Sequence, residues 1–243
     1  MLEFTVWTFC DLFVIKEAGV LFWGGITVKN IYEYPKLLVF ANGTKDGGGS
    51  GFEAMMNAKK RGLFRANIVG VVSAHVNGGV KQLADIFKIP FFHYQKQGDE
   101  VLFKKQTGAE WFALSGWFKK AEGDSKTMFN IHPARPIFGG KGMYGLNVHR
   151  AVLEAFKKGE IKDTAVTMHF VTEEYDKGPG FFGYPVRIEK NDTPETLQER
   201  VKWYEHIFQW AITDMVIHRQ IYWDGENPAS LIVPKGYQYL PKK

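Results

Sequence analysis

Two short stretches bring together residue types that can act on one another: Asn130-Ile131-His132-Pro133 and, further along, Tyr175-Asp176-Lys177-Gly178-Pro179. An amide donor, an imidazole and a carboxylate are the groups needed to move a formyl group onto an amine. Attack of the amine creates an oxyanion, and a fixed amide N–H₂ can donate to it; losing one such donor typically costs about 10²–10³ in rate. Histidine titrates near neutral pH and can carry protons between nucleophile, intermediate and leaving nitrogen. Asn130 and His132 stand two residues apart, so on a strand their side chains share a face. Asp176, on a loop shaped by Gly178-Pro179, can orient His132, stabilise its protonated form or hold a water. Each also has a plainer reading: a strand-end Asn capping its turn, a satisfied half-buried histidine, and turn chemistry for the Asp.

Gly47-Gly48-Gly49-Ser50-Gly51 suits an anion, because glycines let the backbone approach closely and N–H groups at a helix start point at the ligand. It is neither a Walker loop nor a dinucleotide GxGxxG. Lys202 and Glu205 are i, i+3 neighbours on a long helical segment, an ordinary surface ion pair or a charge pair offered to a polar substrate. His169 falls inside an alternating strand and reads as structural, while His149 and His206 fall on helices. No HxxxH or HExxH spacing supports a zinc hydrolase.

These residues need a scaffold, and the pattern from Lys36 onward predicts one. Strands are expected at Leu37–Ala41, Asn67–Ser73, Pro90–His93, Trp111–Ser115, Lys126–Ile131, Thr164–Val171 and Tyr184–Ile188. Helices are expected at Phe52–Lys60, Gly79–Phe87, Val148–Lys158 and Pro194–His218, the last capped by Asp192/Thr193 with Pro194 at its first position. Strands alternating with helices imply βαβ units, an α/β domain and a largely parallel sheet. In such sheets ligands bind beyond the carboxyl ends of the strands, where these motifs fall.

Composition agrees with one enzyme-sized domain. The chain has 243 residues, 45% hydrophobic and 23% charged, with seven Trp and twenty Phe among its 15% aromatics. Aromatics at that level favour a dense core or flat-ring pockets. The net charge of +5 suits anionic small molecules, and its scatter argues against a nucleic-acid footprint. The single cysteine, Cys10, excludes an internal disulfide and points to a reducing, cytoplasmic setting. No apolar run reaches a membrane span. Residues 1–35 read as an N-terminal extension, as an extra strand or hairpin, with no role assigned; residues 36–243 read as one domain.

Taken in order, the motifs resemble the folate-dependent phosphoribosylglycinamide formyltransferase family. The matching stretches are Gly47–Phe52, Leu114–Lys119, Phe129–Pro133, Tyr144–Arg150, His169–Pro179, Lys202–His206 and Pro234–Tyr237. The resemblance implies a Rossmann-like three-layer sandwich with a mostly parallel sheet. It implies 10-formyltetrahydrofolate as co-substrate, no metal, and the amine of glycinamide ribonucleotide as acceptor, in de novo purine biosynthesis. Asn130, His132 and Asp176 would be catalytic, with Asp176 supporting His132. Gly47, Gly48, Gly49, Ser50 and Gly51 would hold phosphate, and Lys202 with Glu205 would meet the sugar and glycinamide end. Gly116, Trp117, Phe118, Lys119, Thr172, Glu173 and Glu174 would line the folate site. Small molecules are the expected partners, with no nucleic acid or membrane, and a monomer or homodimer is expected.

The chain departs from the family pattern at Gly51, usually Asn, at Lys119, usually Arg, and at Asn147, usually His. The segment from Lys119 to Asn130 is also shorter. The rival readings are a formyltetrahydrofolate hydrolase, a methionyl-tRNA or sugar-nucleotide formyltransferase, and a non-catalytic phosphate- or nucleotide-binding module.

Overall fold

Leu37, Val39 and Ala41 alternate with Leu38 and Phe40 along β3 (Lys36–Ala41), and all five are buried. A strand apolar on both sides must be covered on both sides, and here it is. The first set joins a core cluster with Phe52, Met55, Val80, Ala84, Val148, Val152, Leu197 and Val201. The second joins a smaller cluster with Tyr94, Phe103, Phe112 and Trp117. The result is a three-layer α/β sandwich.

The computed structural model describes residues 20–23, 26–29, 33–174 and 176–241. The chain divides into two compact units, Met1–Tyr34 and Pro35–Lys243. In the first, β1 (Val20–Trp23) pairs antiparallel with β2 (Ile26–Lys29). Most of the 1–35 extension, Cys10 included, lies outside the described residues.

The second unit runs β3, α1 (Ser50–Lys60), β4 (Asn67–Ser73), α2 (Gly79–Phe87), β5 (Phe91–His93), α3 (Asp99–Thr107), β6 (Trp111–Ser115), β7 (Met128–His132), α4 (Leu146–Lys157), β8 (Asp163–Phe170), β9 (Gly180–Arg187) and α5 (Pro194–Ile217). Its sheet has the order β5-β4-β3-β6-β7-β8-β9. Pairing is parallel from β5 to β7 and antiparallel at β7-β8 and β8-β9. Among the described residues no helix is long and apolar enough to cross a membrane.

Two elements differ from expectation. The helix α3 was not predicted, because only Phe103 supplies a buried apolar anchor while Val101 and Leu102 face outward, so no stripe of period 3.6 is visible. The strand β9 begins four residues early, at Gly180, because two glycines hide its period; Pro241 packs against both Gly180 and Gly183, and Gly183 N–H donates to the Tyr239 carbonyl at 2.6 Å.

The long helix α5 starts as read. The Thr193 hydroxyl accepts the Thr196 N–H, the Thr196 side chain accepts the Thr193 N–H, and Pro194 opens the first turn. Leu197, Val201, Ile212 and Val216 bury one stripe in the core. A second stripe, Gln198, Lys202, Glu205, His206 and Gln209, faces the cavity described next.

Candidate active site

Register builds the centre of the site. In β7, Phe129 and Ile131 enter the core, and the alternation turns Asn130 and His132 to the other face. Pairing sets Asn130 opposite His169 and His132 opposite Thr167 on β8. Asn130 Nδ2 accordingly lies 3.3 Å from His169 Nε2. The other ring nitrogen of His169 donates to the Phe170 carbonyl at 2.9 Å.

Asp176 completes this group. Its φ of 54° is rare for a residue with a side chain, and such strain concentrates at functional sites. Gly178 makes the turn possible, since a Cβ there would overlap the Phe170 carbonyl oxygen. The Asp176 carboxylate sits 3.2 Å from His169 Nε2 through Oδ1 and accepts the Gly140 N–H at 2.8 Å through Oδ2. Burial pushes this carboxyl up, but the His169 and Gly140 hydrogen bonds and the nearby imidazoles outweigh it and hold it at about 2. The direct partner of Asp176 is therefore His169. It acts on His132, the residue that the sequence suggested, through its charge and not through a hydrogen bond.

His132 is buried, and its Nε2 faces the Phe138 carbonyl at 3.2 Å. A carbonyl only accepts, so Nε2 carries the proton and Nδ1 keeps its lone pair. Burial lowers the imidazole to about 4, against the pull of Asp176, with His169 adding to the fall. The ring is neutral at neutral pH, a base with one open nitrogen. His149, at the start of α4, is also fully buried and also held at about 4 by burial and by His132. Its Nδ1 has no partner among the described residues.

A cavity of about 550 Å³ opens in front of these groups. Its walls include Asn130, His132, His149 and Asp176, the loop Gly48–Gly51, and the α5 stripe. The loop ends in Gly49, which caps α1 at φ 83° and leaves the first N–H groups of the helix free to meet an anion. Ser50 Oγ lies 3.0 Å from His206 Nε2. Burial pushes the Glu205 carboxyl up to about 7, with Lys202 drawing it down.

A smaller hollow of about 60 Å³ adjoins, lined by Lys119, Val171, Thr172, Glu173, Glu174 and His169. Trp117, Asn130 and Asp176 belong to both spaces. At the mouth of the larger one Phe118 stacks on Tyr144, ring centres 5.0 Å apart. The two spaces therefore meet at Trp117, Asn130 and Asp176.

Nearly every residue singled out in the sequence reaches these walls. Gly116 and Phe118 line the larger cavity, Trp117 both, and Lys119 and Thr172–Glu174 the smaller. Gly47 does not: its carbonyl accepts the Thr44 N–H at 2.7 Å and its backbone abuts Gly79 at the start of α2, which buttresses the loop from behind. Lys202 pairs with Glu199 at 3.2 Å and not with Glu205, so both Lys202 and Glu205 keep a face to the cavity. His149, Ser115 and Gln209 were missed as wall residues. A lone buried histidine or glutamine carries no sequence signature, and the spacing Lys202, Glu205/His206, Gln209 was the signal available for the last.

The formyl transferase family model matches residues 121–213. The chain is 32% identical over 204 residues to a chloroplastic phosphoribosylglycinamide formyltransferase of Arabidopsis thaliana, covering 77% of this chain and 67% of that one. The crystal structure of glycinamide ribonucleotide transformylase 1 from Geobacillus kaustophilus superposes with a TM-score of 0.63 at 27% identity, over 76% of this chain and all of the other. A formyltetrahydrofolate deformylase from Pseudomonas syringae shares the fold at 16% identity and a TM-score of 0.65, over 79% of this chain and 65% of its own. The strand end that holds Asn130 and His132, the loop of Asp176 and the cavity face of α5 all fall within the matched region, and this chain belongs to the phosphoribosylglycinamide formyltransferase family.

Proposed function

We infer that the protein transfers the formyl group of 10-formyltetrahydrofolate to the amine of glycinamide ribonucleotide, a step of purine biosynthesis. The observation that carries this is the meeting of two compartments at Asn130 and Asp176, the larger walled by a helix N-terminus. The acceptor's phosphate sits at Gly48–Gly51, and its sugar and glycinamide end lies along Lys202 and Glu205. The folate lies against Trp117, Lys119 and Thr172–Glu174.

Asn130 donates to the oxyanion that forms when the amine attacks the formyl carbon. His132, neutral and with Nδ1 open, takes the proton from the attacking amine and returns it to the departing folate nitrogen. Asp176, held in place by His169 and the Gly140 N–H, keeps a negative charge near the transient His132 imidazolium. Small molecules are its partners, and the single Cys10 favours a reducing compartment such as the cytoplasm.

A hydrolase of the same donor needs no seat for an anionic acceptor, and the helix N-terminus with the α5 stripe is such a seat. The test is an assay of the full chain with 10-formyltetrahydrofolate, with and without glycinamide ribonucleotide. Donor consumption should depend on the acceptor and yield formylglycinamide ribonucleotide. Consumption at the same rate without acceptor would identify a hydrolase.

A further inference from the structure

Gly51, second residue of α1, stands where no side chain fits. A Cβ there would collide with Ser115 Oγ and lie 2.7 Å from Gln209 Oε1. What fills the space is a buried polar pair: Ser115 Oγ donates to Gln209 Oε1 at 3.1 Å, joining the end of β6 to the middle of α5. Gln209 is only 2% exposed, yet it belongs to the cavity wall. Among the described residues its Nε2 makes no hydrogen bond, and it is not one of the polar atoms sealed from solvent. The free donor end of a nearly buried amide thus opens on the cavity beside the first N–H groups of α1. An unmatched amide N–H₂ on a side chain this deeply buried is unfavourable unless solvent or ligand supplies an acceptor.

We infer that Gln209 is a further acceptor-positioning residue: its Nε2 donates to the anionic end of the acceptor seated at the α1 N-terminus, in the space that a side chain at residue 51 would otherwise take. This rests on the acceptor reading given above. Ser115 fixes the amide's orientation by occupying Oε1, so that a donor and not an acceptor faces the anion. Around it stand Ser50 and His206, 3.0 Å apart, with the Glu205 side chain one turn back along α5 and the Lys202 side chain two turns back.

Gln209→Met keeps length and removes the donor, and Gln209→Glu keeps shape and turns a negative charge toward the anion. With the full chain, Gln209→Met should raise the acceptor KM about tenfold and Gln209→Glu about a hundredfold, in line with the strength of hydrogen bonds to charged groups. The kcat should stay within about threefold, the donor KM should not move, and inhibition by inorganic phosphate should weaken in parallel. An unchanged acceptor KM in both variants would overturn the assignment. So would a fall in kcat with a matching rise in donor KM, which marks a residue that only shapes the fold. If the wild-type chain does not formylate glycinamide ribonucleotide, the acceptor reading fails by itself. Calorimetric titration with inorganic phosphate then decides for Gln209: weaker binding by Gln209→Met supports the anion contact, and equal binding removes it.

Discussion

Asp176 Oδ1 faces His169 Nε2 at 3.2 Å, and the same nitrogen lies 3.3 Å from Asn130 Nδ2, so the carboxylate and the amide meet at one imidazole nitrogen, which bonds to only one of them at a time. Groups linked this way act as a unit, and their substitutions do not multiply. Asp176→Asn and His169→Ala should each lower kcat by about 10–100-fold, and the double variant should fall little further than the worse single. Steady-state kcat for the three variants decides it. Effects that multiply would show that His169 and Asp176 work separately.

Glu205 gives the acceptor site a pH dependence. Its carboxyl is pushed up to about 7, so below that pH it gains a proton, loses its charge and becomes a weaker partner for the acceptor groups proposed to lie along it. The acceptor KM should rise on acidification below pH 7, by up to about tenfold per pH unit, while the donor KM stays level. Glu205→Gln should show a raised acceptor KM at pH 8 that no longer varies down to pH 6. A wild-type acceptor KM that is flat across this range would refute the assignment.

Stability should follow a different pair. His132 and His149 are lowered from 6.5 to about 4 in the folded protein, so between those values the unfolded chain binds two protons that the folded one refuses. Stability is then lost as pH falls from about 6.5 to 4, by up to about 1.4 kcal/mol per pH unit for each histidine. Asp176 acts lower: its depressed pKa gives stability above 3.8 that fades toward about 2. Urea unfolding at pH 7, 6 and 5 should show the loss, and His149→Asn should roughly halve the slope. A midpoint independent of pH over that range would contradict the burial of neutral imidazoles.

Gly51 and Ser115 should couple in packing. Gly51→Ala forces a methyl onto the Ser115 hydroxyl and should destabilise by about 1–3 kcal/mol. Removing that hydroxyl leaves the new methyl 3.6 Å from Ser115 Cβ, an ordinary contact. Gly51→Ala/Ser115→Ala should therefore recover part of the lost stability in chemical denaturation. A double variant less stable than Gly51→Ala alone would mean that the strain lies elsewhere.

The fold was largely legible because its strands are short apolar runs that alternate with helices, and β4 and α2 were read at both ends. What escaped had weak periodicity, as in α3 with its single anchor Phe103 and β9 with its glycines. In the site, the Asn130/His132 spacing was readable because a strand's period of two is rigid. The partner of Asp176 was not, since it depends on the antiparallel β7-β8 register that sets His169 opposite Asn130. Gly51 was visible as a departure, but its cause, the Ser115–Gln209 pair, joins residues 94 apart in sequence.

Asn130, at the junction of the two compartments, is proposed to stabilise the oxyanion of the reacting formyl group and not to bind either substrate in its ground state. The most direct measurement is kcat and both KM values for Asn130→Ala with 10-formyltetrahydrofolate and glycinamide ribonucleotide. Asn130→Ala should lower kcat by about 10²–10³ and leave both KM values within about threefold of the wild type. A preserved kcat with a large rise in either KM would contradict it.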